Sequence, residues 1–162
     1  MDLFEKYLEK KHTSEHVKRA LTAESCKNKN HSLENKDVAT DLATLGDAII
    51  KFCYTKYFLD KVEQLSKEVE KYVTDERFVK VIAKHYDLLK YIHYDETDDK
   101  IKRDYDYKIP GKTSSGKNKK TSSHKYIATA VEAMIAAIYL ETKEETKALD
   151  KISELLELWK EL

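Results

Sequence analysis

An all-α fold is predicted by three observations. Apolar residues recur at three- and four-residue spacing along most of the chain. No run alternates with a period of two for long enough to make a strand. The only proline and two of the three glycines are gathered in one segment, residues 95–123. At 162 residues the chain is long enough to bury a core as one domain, residues 1–162, without disulfide or metal staples.

Taken in order, DLFEKYLEKK sets Leu3, Phe4, Tyr7 and Leu8 on one helical face, and residues 37–59 do the same with Leu42, Leu45, Ile49, Phe52 and Cys53. VEQLSKEVEKYV and DERFVKVIAKHYDLLKYI continue the pattern. IATAVEAMIAAIYL, residues 127–140, is apolar almost throughout, and TKEETKALDKISELLELWKEL closes the chain. That last segment carries a capping box at Thr142 and Glu145 ahead of a stripe of Leu149, Ile152, Leu156 and Trp159.

The 30 basic and 30 acidic residues cancel, so affinity for a polyanion has to come from a local cluster and not from the overall field. Cys26 and Cys53 show no CxxC spacing and read as reduced thiols of a cytosol-like compartment. MDLFEKYLEK is charged from its second residue and has no signal-peptide character. Residues 127–140 fall short of the roughly 18 apolar residues of a membrane span. A soluble cytoplasmic protein is expected.

Residues 95–123 read as a long loop whose tip, IPGKTSSGKNKKTSSHK, places Lys112, Lys117, Lys119, Lys120 and Lys125 in a short span. Loops of this length are functional or disordered. Lysines of this kind suit a phosphate backbone, which rewards charge and tolerates imprecise geometry. They equally suit a solvated hinge, and composition leaves both readings open.

LATLGDAII holds the third glycine inside a helix, where it costs about 1 kcal/mol relative to alanine. Its neighbour Asp47 shares a face with Ala43, Ile50 and Tyr54. Glu132 is the only ionisable group besides the Tyr139 phenol between residues 127 and 140. A buried unpaired carboxylate costs several kcal/mol, so it needs a partner, a metal or solvent. Gly46 and Ala48 on one helix, with Ala133, Ala136 and Ala137 on the other, would let two helices approach and bring Asp47 and Glu132 together. Mg²⁺ commonly takes one or two protein carboxylates and fills its other positions with water and phosphate oxygens. The alternative is that each acid pairs with a lysine or caps a neighbour, and spacing alone leaves both open. His12, His16, His31, His85, His93 and His124 lack metal-ligand spacing and read as surface residues. The eleven tyrosines read as core or interface, with Tyr105 and Tyr107 as possible exceptions on the loop.

ALTAESCKNKN, DLATLGDAIIKFCYTKYF and YIATAVEAMIAAIYLE, in this order, resemble the successive signature segments of the ribonuclease III catalytic domain. The resemblance covers residues 3–141 and rests on two acidic motifs, LGDA and VEAMIAAIYLE. It puts Asp47 at the family's metal-coordinating aspartate and Glu132 at its metal-binding glutamate. Two further acids of the longer enzymes are replaced by Ala43 and Thr129, as they are in the compact Mini-ribonuclease III branch, whose TAFEA-like motif resembles TAVEA here. Ile101 to Arg103 resembles the start of that branch's basic loop, although Asp104, Tyr105 and Asp106 depart from it.

The resemblance implies an all-helical homodimer, without a double-stranded RNA-binding domain, whose two active sites line a groove for duplex RNA. It implies Mg²⁺-assisted hydrolysis of each strand, with Mn²⁺ as a possible substitute, in RNA processing such as rRNA maturation. Asp47 and Glu132 would be catalytic and metal-binding, and Arg103, Lys112, Lys117, Lys119, Lys120 and Lys125 would meet RNA. Gly46 and Thr129 would be auxiliary, Thr129 either holding a water or simply packing. An RNA-binding scaffold without catalysis and a helical protein-interaction module are the competing readings.

Overall fold

Residues 127–138 are buried on every side except at Thr129 and Glu132, so the helix they form is the one around which the others are arranged. This computed structural model describes residues 1–95 and 124–162. The expected basic loop therefore lies outside the described residues, and with it Arg103, Lys112, Lys117, Lys119 and Lys120. The helices are α1 (Leu3–Leu8), α2 (Glu15–Ala20), α3 (Cys26–Lys29), α4 (Thr40–Phe58), α5 (Leu65–Glu70), α6 (Asp75–Arg77), α7 (Ala83–His85), α8 (His124–Glu141) and α9 (Glu145–Glu161). Among the described residues there is no strand, only one parallel bridge between Thr22 and His93. No helix among them is long and apolar enough to cross a membrane.

α8 packs most extensively against α4, and α2, α9, α1 and the segment from α6 to α7 surround the rest of it. The ends of the chain are fastened over this core. Asp2 caps α1 in a capping box with Glu5, and the Trp159 Nε1 donates to the Tyr86 hydroxyl at 2.8 Å. That hydroxyl donates in turn to the Asp2 carboxylate. Phe4 packs at a tilt against Tyr86 and meets Trp159 edge-on, with centroids 4.6 and 5.3 Å away. Arg77 donates to the Trp159 carbonyl at 2.6 Å, joining α6 to α9.

Several expectations change in detail. The helix predicted over residues 37–59 runs from Thr40 to Phe58, because residues Asn35–Asp37 form a 3₁₀ turn in which the Asp37 carboxylate accepts from the Glu34 N–H. Leu45 and Phe52 do not join the buried stripe; they are 36% and 53% exposed. Their side of α4 faces away from α8, which meets the Leu42, Gly46, Ile50 and Cys53 side instead. The helix expected from DERFVKVIAKHYDLLKYI is divided into α6, a π-helical turn at Phe78–Ile82, α7 and a 3₁₀ turn at Leu88–Lys90. A left-handed backbone at Asp87 (φ 48°) marks the last break. The capping box at Thr142 does not form. Its hydroxyl donates back to the Ile138 carbonyl at 2.9 Å, and α9 begins only at Glu145. Both cysteines are free thiols, Cys53 buried and Cys26 partly so.

Candidate active site

The glycine inside α4 is explained by where α8 crosses it. A Cβ built on Gly46 would lie 2.5 Å from the Glu132 carbonyl carbon and closer still to its oxygen, so the two backbones are in contact there. Any side chain at residue 46 would push the helices apart. The crossing places Asp47, next in the chain, beside the turn of α8 that carries Glu132. Ala133, Ala136 and Ala137 are fully buried and continue the close packing. Ala48 is exposed and takes no part in it, since it points to the opposite side of α4.

The two carboxylates sit in different company. Asp47, with a third of its side chain exposed, accepts from the Lys51 ammonium one turn later, at 2.7 Å. Glu132 is partly buried and has no hydrogen bond or ion pair with any described residue. Its carboxyl is pushed up from the ordinary 4.5 to about 7, first by burial and then by the negative charges of Asp47 and Asp75. Lys51 and Lys125 act in the opposite direction. A half-buried carboxylate lacking a partner among the described residues, beside a second carboxylate at the edge of solvent, offers oxygen donors to a hard cation. Among the described residues no third His, Cys, Asp or Glu closes around them. Such a pair fits Mg²⁺, which keeps several of its waters, and does not fit an ion that needs an all-protein cage.

Of the other predicted site residues, Thr129 and Lys125 are among those described. Ala43, one turn before Asp47, is buried in the core. Thr129, one turn before Glu132, is partly buried and lines a cavity of about 150 Å³ with Glu24, Thr40 and Lys125. Lys125 is exposed on the first turn of α8. His16 pairs at 2.9 Å with Glu141, which also accepts from Ser14 at 2.7 Å. This ties the start of α2 to the end of α8 and is a structural role. Of the other histidines, His12, His31, His85 and His93 are exposed.

Sequence reasoning missed two charged residues here. Lys51 was legible, because an acid followed four residues later by a lysine on a helix predicts an ion pair. Asp75 was not, because it comes from α6, far from either motif in the chain, and only the packing of α6 against α8 brings it near.

The family model of the Ribonuclease III domain matches residues 40–143, a span that includes both acids. No curated protein matches the chain. Among solved structures, the chain is similar to the nuclease domain of ribonuclease III from Campylobacter jejuni. The TM-score is 0.64 at 22% identity, covering 96% of this chain and 92% of that one. A second structure of that nuclease domain, described for structural flexibility in a region involved in dimer formation, gives the same TM-score and identity and is covered over 94% of its length. At this identity the likeness is one of fold.

Proposed function

Because the chain belongs to the Ribonuclease III domain family, we propose that it is a divalent-metal-dependent endonuclease of double-stranded RNA with Asp47 and Glu132 as its metal-binding and catalytic carboxylates. We place it in RNA processing such as rRNA maturation. The observation that carries this reading is the α4–α8 crossing. The fold accepts a glycine-tight contact at Gly46 and a half-buried carboxylate at Glu132 that has no hydrogen bond or ion pair among the described residues, an expensive arrangement unless a ligand completes it. Mg²⁺, or Mn²⁺ in its place, would supply water activation and neutralise charge developing on the phosphodiester. Asp47, at the edge of solvent, and Glu132, half-buried, would hold the ion. Thr129 lies one turn from Glu132 and packs beside the cavity, where its hydroxyl can bind a water.

In this reading residues 1–162 act as one domain and two copies pair. The exposed side of α4 presents Leu45, Ala48 and Phe52 in a line one turn apart, an apolar surface suited to a second copy. A dimer sets two such centres along one groove. Duplex RNA is met there mainly through phosphates and 2′-hydroxyls, by Lys125 and by Arg103, Lys112, Lys117, Lys119 and Lys120. A second reading, an RNA-binding scaffold that does not cut, is favoured by Ala43 and Thr129 standing where the longer enzymes carry acids.

Cleavage of an end-labelled perfect RNA duplex in Mg²⁺ and in EDTA, by the wild type, Asp47→Asn and Glu132→Gln, separates the two. The nuclease predicts Mg²⁺-dependent cutting lost by at least about a hundredfold in each variant. Bound but uncut duplex in all three proteins would establish the scaffold.

A further inference from the structure

Lys51 is the one cation in direct contact with the acidic pair among the described residues. Its ammonium lies 2.7 Å from the Asp47 Oδ2, and it is the first of the charges that oppose the negative field at Glu132. Among the described residues, Asp47 and Asp75 add to the negative field at Glu132, and Lys51 and Lys125 oppose it. Lys51 is half exposed, so its long stem is free to swing outward without disturbing the core. The Asp47 oxygen that it occupies is one a divalent ion would need, and an ion shared by Asp47 and Glu132 would face that ammonium as a like charge.

We propose that Lys51 is the resident cation of this cleft: it holds the Asp47 carboxylate while no divalent ion is bound, and it leaves Asp47 when one enters. This rests on the reading of Asp47 and Glu132 as metal ligands. Lys51 is then a positioning residue that keeps the Asp47 carboxylate in rotamer for the incoming ion, and it also sets the ion's affinity, since each binding event must open the pair. The contact is a single exposed-side ion pair, so its displacement is reversible and the effect is modest in size.

The test is direct binding of Mn²⁺, followed by calorimetry and by electron paramagnetic resonance of the free ion. It compares wild type, Lys51→Met, Lys51→Arg, Lys56→Met and Asp47→Asn, each shown to be folded by its urea transition. Lys51→Met is expected to bind Mn²⁺ about three- to tenfold more tightly than wild type, because the competing cation is gone. Lys51→Arg, which retains the pair, and Lys56→Met, which removes a charge from the same helix outside the cleft, are expected to stay within about twofold of wild type. If Asp47→Asn weakens binding but Lys51→Met leaves it unchanged or weaker, Lys51 does not compete with the ion and the inference fails alone. Tightening of equal size in Lys56→Met would likewise overturn it, by reducing the effect to bulk charge. If Asp47→Asn binds as wild type does, the ion is held elsewhere, and the reading of the site fails together with the inference.

Discussion

Two of the places where this molecule draws polar groups toward its interior treat them in opposite ways. At the junction of α1, α9 and the segment around Tyr86, the polar side chains answer one another in series: Trp159 donates to Tyr86, Tyr86 to Asp2, and Asp2 caps α1. At the α4–α8 crossing the Glu132 carboxyl is left without a described partner, and neighbouring acids make its charge less favourable still. The first region fastens the chain ends and is arranged for stability. The second stores unfavourable electrostatics at a point fixed by backbone contact, which is what a site awaiting a cation requires.

The aromatic junction should give the largest effects. Trp159→Ala empties a fully buried indole site and leaves Tyr86 without its donor. It should cost about 3–5 kcal/mol in urea or guanidinium unfolding. A loss below 1 kcal/mol would mean that the aromatic junction does not anchor the fold. Gly46→Ala comes next. Alanine is the better helix former, yet its Cβ meets the Glu132 backbone, so a net destabilisation of about 2–3 kcal/mol is expected in the same measurement.

At the polar side the sign reverses, and a substitution should stabilise. Folding raises the Glu132 carboxyl from 4.5 to about 7, so the folded state binds its proton more tightly than the unfolded chain does. The associated stability is fully present below pH 4.5 and is lost as the pH rises through 7. Glu132→Gln removes that loss. It should be more stable than wild type above pH 7 by about 1–2 kcal/mol, after discounting for the group's partial exposure, and equal to it at pH 4. Urea melts at a series of pH values read this directly. The smallest effect on fold stability belongs to Phe52→Ser, within about 0.5 kcal/mol because the ring is largely in solvent. Sedimentation of the same variant should nevertheless show weakened self-association.

The fold was legible wherever periodicity and burial agreed. Residues 127–140 read as a helix with one acid, and that helix proved central. Gly46 beside Asp47 read as a close approach, and the approach is there. What failed in the sequence was local and had local causes. The Leu45 and Phe52 side of α4 is apolar but faces outward, and a stripe for a core and a stripe for another surface look alike in one dimension. The break-up of the helix after Thr74 depends on a π turn and on the left-handed Asp87, neither of which has a residue-type signature here. Within the site, the pairing of Asp47 with a lysine was weighed and occurs, while the contribution of Asp75 was invisible because only tertiary packing brings α6 to α8.

The most direct measurement of the central claim is the titration of the Glu132 carboxyl itself. Carbon-13 NMR of glutamate-labelled protein, assigned by difference with Glu132→Gln, follows it with and without Mg²⁺. A midpoint near 7 is expected in the absence of the ion, with a clear downward shift when Mg²⁺ is added, because a bound cation favours the charged form. An ordinary midpoint near 4.5 that Mg²⁺ leaves in place would rule out Glu132 as a half-buried metal ligand.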